Sequence, residues 1–105
     1  MCSSDLLVAD SVYAPVRNLC KRVLPRFGIE PQFYDPKLGA EIESLFRSNT
    51  RVVYVESPGS QTFELQDIPA IAAVTHRHNA LVIADNAWAT GYFFRSLAQI
   101  GRAHV

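Results

Sequence analysis

Arg51-Val52-Val53-Tyr54-Val55-Glu56 and, a helix's length later, Ala80-Leu81-Val82-Ile83-Ala84-Asp85 decide the fold of this chain. The first run is rich in β-branched residues and reads as a buried strand. The second is apolar from Ala80 to Ala84 and predicts a strand covered on both faces, as in a parallel sheet. Between them lies one helix. Asp67 can cap it, Pro69 is tolerated in its first turn, and Asn79 can end it. Ile68, Ile71, Ala72 and Thr75 form its inner face. Ser57-Pro58-Gly59-Ser60 is the loop that leaves the first strand.

Towards the amino terminus the alternation repeats. Leu7 to Ala9 is a short apolar run fit to end a strand. Val16, Leu19, Cys20, Val23 and Leu24 recur at helical spacing and predict an amphipathic helix, which Pro25 kinks or ends and Gly28 closes. Pro31 to Tyr34 is a weaker strand, and Asp35-Pro36 marks a turn. Leu38, Ile42, Leu45 and Phe46 predict a second amphipathic helix ending near Ser48-Asn49. The order βαβαβαβ implies an α/β fold: a mostly parallel sheet with helices on both faces. In such sheets ligands bind beyond the carboxyl ends of the strands. That rule points to Ser57–Ser60, to Asp85–Gly91, and to the loop holding Tyr13.

Composition narrows the class of function. The chain has 105 residues, 49% of them hydrophobic and 19% charged, with ten basic residues against ten acidic ones. The formal net charge is therefore zero, and no basic patch speaks for nucleic acid or an anionic membrane. No apolar run spans a bilayer, and no signal peptide is visible. Cys2 and Cys20 allow one disulfide at most; Cys20 is expected as a free thiol, which favours a reducing, cytoplasmic setting.

Few side chains have the makings of a reaction centre. Asp85 ends an apolar strand, where a carboxylate is costly unless it meets donors or a cation. It either bonds the loop's own amides or partners a cationic ligand group such as a protonated pyridine nitrogen. Tyr13 is either a packed, half-exposed ring or a ring that stacks on a flat ligand and moves protons through its phenol. The small residues after Glu56 make a plain turn or let backbone approach a ligand. No nucleotide-binding glycine motif is present. His76 and His78 point to different helix faces without a third ligand, so no metal site is expected. Trp88 is expected to pack or to wall a pocket.

Together these segments resemble a known family. Ser11-Val12-Tyr13-Ala14-Pro15, then Tyr34-Asp35-Pro36-Lys37-Leu38-Gly39-Ala40, Val53-Tyr54-Val55-Glu56-Ser57-Pro58-Gly59-Ser60 and Ile83-Ala84-Asp85-Asn86-Ala87-Trp88-Ala89-Thr90-Gly91 occur in this order. The pattern is similar to the cystathionine-lyase family of Cys/Met-metabolism enzymes over residues 7–99. The resemblance implies part of the large domain of a fold-type I pyridoxal 5'-phosphate enzyme, homotetrameric when complete. It implies that Asp85 holds the pyridine nitrogen, that Tyr13 stacks on the ring and takes part in proton transfer, and that Ser60 lies near the phenolic oxygen. Trp88 and Gly91 stand where the γ-lyases and γ-synthases commonly have Phe and Pro. With Pro58-Gly59-Ser60 they favour the β-lyase branch: β-elimination of cystathionine, a small sulfur amino acid, to homocysteine, pyruvate and ammonia.

The same resemblance places a Schiff-base lysine in a Ser-x-Thr-Lys motif after the strand ending in Asp85. Lys21 and Lys37, the only lysines, match neither position nor motif. The phosphate-binding segment and the carboxylate-binding arginine of the family also have no counterpart, so the chain alone is expected to be inactive. The two ends have a further reading. One coding of Ile100–Val105, reverse-complemented and begun at a GTG codon, gives Met-Cys-Ser-Ser-Asp, which is Met1 to Asp5. Both ends thus resemble a sequencing adapter translated in opposite orientations. Residues 1–6 and 100–105 are expected to be adapter-derived, and 7–99 to be the fragment of the cofactor-binding domain. Two rival functions stand beside the β-lyase: a γ-synthase or γ-lyase of the same family, and a non-enzymatic α/β binding module complete in itself. The module predicts cooperative unfolding; a piece of a larger sheet predicts poor solubility from exposed apolar edges.

Overall fold

The computed structural model describes residues 5–101; Cys2 and His104, and most of the two ends read as adapter-derived, lie outside them. Four strands, β1 (Leu6–Ala9), β2 (Pro31–Tyr34), β3 (Val52–Glu56) and β4 (Leu81–Asp85), form one sheet in the order β2-β1-β3-β4. All three pairings are parallel, so every carboxyl end opens on the same edge. Each crossover is helical in kind, as the alternation required. Asp5, from the stretch read as adapter-derived, accepts the Arg51 amide (2.9 Å) at its carbonyl and the Asn49 side chain (3.1 Å) at its carboxylate.

The first crossover departs from the expected single helix. It begins as α1 (Ala14–Asn18), widens to a π-helical segment over Leu19–Val23, and tightens to a 3₁₀ turn over Leu24–Phe27. The π segment closes with a bond from the Leu24 amide to the Leu19 carbonyl, five residues back. That wider turn breaks the 3.6-residue phase on which the face was drawn. Cys20 alone of the five predicted residues is buried, while Leu19 and Val23 face solvent. Pro25 sits in the 3₁₀ turn and Gly28 caps it in the left-handed region (φ 75°), as expected.

The second predicted helix is a 3₁₀ helix over Gly39–Leu45 that buries Ile42 alone of its members. Its turn is set by Asp35, whose carboxylate accepts the Lys37 amide at 2.9 Å. The third helix follows its reading closely. In α2 (Ile68–Arg77), Asp67 caps the Ala70 amide at 3.1 Å, and Ile68, Ile71, Ala72 and Thr75 are buried. Asn79 ends it with φ 55°. Two short helices follow β4: α3 (Thr90–Phe93) and α4 (Ser96–Ile100).

The core gathers Leu7, Ala9, Val53 and Val55 of the sheet with Ile42, Ile68, Ile71 and Val74. On the opposite strand faces, Arg17 lies over the Phe33 ring at 4.3 Å, so the first crossover covers the β2–β1 side. It does not reach β4. Leu81 and Ile83 are each 50% exposed, which corrects the expectation of a strand covered on both faces. The reason is position: β4 is an edge strand among the described residues, and while Val82 and Ala84 pack against the core, Leu81 and Ile83 project to the other face.

Candidate functional site at the carboxyl edge of the sheet

Three loops converge where the strands end. Parallel register sets Glu56 of β3 opposite Asp85 of β4, and partnered residues of adjacent parallel strands project to the same face, about 4.8 Å apart at the backbone. The loop after β1 brings Tyr13 to the same edge. Tyr13 precedes α1, is 56% exposed, and donates its amide to Oε2 of Glu56 at 2.8 Å. Ser60, four residues past Glu56, donates its hydroxyl to Oε1 of the same carboxylate. Its amide donates to the Ser11 carbonyl at 3.0 Å. Glu56 thus joins two of the three residues singled out from the sequence, and register sets it beside the third.

Asp85 does what its loop position allows. One oxygen accepts the Ala87 amide at 3.0 Å, and among the described residues no partner meets the other. The first of its two readings is visible: it caps its own turn. The Ser57–Ser60 loop approaches protein backbone rather than leaving a gap at Gly59. A Cβ built on Gly59 would stand 2.6 Å from the Cβ of Ser11 and 3.2 Å from its carbonyl oxygen. The glycine is needed for the two loops to touch.

Beneath this edge runs a buried polar chain. Gln66 accepts the Glu56 amide (3.0 Å) and donates to the Tyr34 hydroxyl (2.9 Å), which donates to the Tyr54 carbonyl. The Gln66 amide in turn donates to Ser57 Oγ at 2.9 Å. Burial pushes the Tyr34 phenol above its ordinary value, partly offset by the bond from Gln66. The Tyr54 phenol is raised too, first by burial and then by the charges of Asp85 and Glu56. That places both carboxylates within electrostatic reach of one ring.

Sequence reasoning quoted Glu56 only as part of a motif and passed over Gln66. An acidic residue closing a β-branched run was a usable signal for Glu56. Gln66 sits in an irregular stretch and gave none. Of the two expectations for Trp88, packing does not hold: it is 54% exposed and makes an edge-on ring contact with Phe63, at 5.5 Å between centroids. His78 pairs with Glu43 (3.1 Å) and stacks on Phe46, away from the edge. No group of three or more His, Cys, Asp or Glu among the described residues can hold a metal ion. No helix among them is long and apolar enough to cross a membrane.

A family model described as Cys/Met metabolism PLP-dependent enzyme matches residues 2–101. The chain belongs to this family. A Rhizobium johnstonii protein named "Putative cystathionine beta-lyase" is 59% identical over 91 residues, covering 87% of this chain and 23% of that one. A Bordetella avium cystathionine beta-lyase is 44% identical over 87% of this chain and 22% of its own length. This member of the Cys/Met-metabolism family thus spans about a quarter of the curated relatives it matches. Its fold superposes on metB of Corynebacterium glutamicum with a TM-score of 0.74 at 25% identity, over 79% of this chain and 22% of that one. It superposes on metY of Campylobacter jejuni, which carries N'-pyridoxyl-lysine-5'-monophosphate, with a TM-score of 0.80 at 22% identity, over 93% and 24%. The α/β reading and the family resemblance both hold.

Proposed function

We propose that residues 7–99 are part of the cofactor-binding large domain of a cytoplasmic, homotetrameric carbon–sulfur lyase. Its reaction is the β-elimination of cystathionine to homocysteine, pyruvate and ammonia. The observation that carries this reading is the single edge that holds Tyr13, Glu56, Ser60 and Asp85, in a chain similar to proteins that bear the β-lyase name.

The side chains fit pyridoxal 5'-phosphate at two points. The open oxygen of Asp85 would hold a protonated ring nitrogen, and charge attraction would keep that proton in place. The exposed ring of Tyr13 offers a flat face for stacking, with its phenol at hand for proton movement. Ser60 differs, because its proton already goes to Glu56; it would donate to the phenolic oxygen only by leaving that carboxylate. The cofactor, when bound, supplies an electron sink for the carbanion left at the substrate's α-carbon. The chain's own part is to keep the nitrogen charged and the ring in one plane.

The test uses a full-length lyase carrying residues 7–99, assayed for pyruvate against 2-oxobutyrate. Pyruvate from cystathionine supports β-elimination, whereas 2-oxobutyrate would move the assignment to the γ-branch. Asp85→Ala is expected to lower kcat at least a hundredfold, with a loss of cofactor absorbance. Unchanged activity in that variant would remove Asp85 from the site.

A further inference from the structure

Glu56 is 2% exposed, yet among the described residues no lysine or arginine pairs with it. A buried carboxylate without a cation is costly, and it persists where hydrogen-bond donors compensate it. Here both donors come from the loops that hold candidate cofactor contacts. Oε2 takes the Tyr13 amide, and Oε1 takes the Ser60 hydroxyl. A third contact fixes the main chain that carries the carboxylate, since the Glu56 backbone amide donates to the Gln66 side chain.

We infer that Glu56 is a positioning residue, which clamps the Tyr13 loop to the Ser60 loop and so sets the Tyr13 ring relative to Asp85. The inference rests on the reading of Tyr13 and Asp85 as cofactor contacts only for its consequence, not for the clamp. The geometry argues for a clamp over a filler. A space-filling residue at the end of β3 would be apolar, like Val53 and Val55 before it. The carboxylate instead offers one acceptor to each loop, at residues 43 positions before it and four after it. Ser11 and Gly59 touch beside it, so the loops lie too close for any larger bridge. The Tyr13 amide is also the donor next to the start of α1, so pulling on it sets the direction of the whole loop.

The variants discriminate by chemistry. Glu56→Ala removes both acceptors. Glu56→Gln keeps the shape and one acceptor; its amide group can face Ser60, whose hydroxyl can turn to accept, leaving the oxygen for Tyr13. Hydrogen exchange on the 105-residue chain reads the Tyr13 amide directly, with Ile71 in α2 as the control for the core. The expected result is at least tenfold faster exchange at Tyr13 in Glu56→Ala, unchanged exchange at Ile71, and recovery at Tyr13 in Glu56→Gln. Retention of pyridoxal 5'-phosphate by a full-length lyase carrying residues 7–99 and the same substitutions, followed by cofactor absorbance, is a separate readout. Weaker binding in Glu56→Ala than in Glu56→Gln ties the clamp to the cofactor. A responsive Tyr13 amide with no binding in any variant would sink the cofactor reading and leave the clamp standing. The clamp itself is overturned if Tyr13 exchanges at the free-peptide rate in the unaltered chain. It is equally overturned if Glu56→Ala leaves Tyr13 unchanged or loosens Ile71 to the same degree.

Discussion

At the scale of single residues, the polar groups under the sheet edge make the sharpest predictions. Gln66→Leu leaves the Glu56 amide without its acceptor and the Tyr34 hydroxyl without its donor. Each unmet buried group costs about 1–3 kcal/mol, so the urea midpoint should fall clearly while the slope stays the same. Gly59→Ala forces a methyl group onto Ser11, partly against backbone, and should cost about 1–3 kcal/mol. Ser11→Gly in the same chain should restore much of the loss, which a double-mutant cycle would measure. Tyr34 adds a pH dependence. Its phenol is raised in the folded state, so its neutral form is the one folding favours. That contribution is complete below the unfolded value near 10 and is lost as pH climbs beyond it. Denaturation midpoints should therefore drop above about pH 10. Tyr34→Phe should flatten that decline.

At the scale of elements, the strands and α2 obeyed local rules and the first two crossovers did not. In α2 every signal agreed: a capping Asp67, Pro69 in the first turn, apolar residues at helical spacing and an ending Asn79. Asp67→Ala should cost about 1 kcal/mol by removing the cap on Ala70, read from the same midpoint. The residues from Val16 to Leu24 also had helical spacing, yet the backbone inserts a π segment there. Spacing counts residues and takes the turn as given; it cannot register that the turn has widened. The coverage expected of β4 failed for another reason. Its composition matches a strand covered on both faces, and coverage depends on what lies beside it. The contrast is measurable with one residue type. Leu7→Ala, at a fully buried position of β1, should cost about 2–5 kcal/mol. Leu81→Ala, half-exposed on β4, should cost less than about 1 kcal/mol.

At the scale of the whole molecule, an ordered core carries a wide apolar surface. Leu81 and Ile83 stand open on β4, and Trp88, Tyr92 and Phe93 are exposed beyond it. With a formal net charge of zero, little repulsion keeps copies apart. Light scattering should show association that grows with concentration. Leu81→Lys with Ile83→Lys should shift the chain towards monomer while Ile71 stays protected from exchange. The chain by itself should produce no steady pyruvate from cystathionine, because neither Lys21 nor Lys37 follows the strand ending in Asp85, where the family resemblance puts the Schiff-base lysine. Sequence alone determined the parallel α/β alternation, since hydrophobic period and turn residues are local properties that a chain carries wherever it folds. It also determined the family, through ordered motifs around Tyr13, Ser60 and Asp85. Only the tertiary structure decided that Glu56 joins Tyr13 to Ser60, that Gly59 serves contact with Ser11, and that β4 lies open. Each of these depends on which distant segments become neighbours, and a hydrogen bond across 43 residues leaves no periodicity to read.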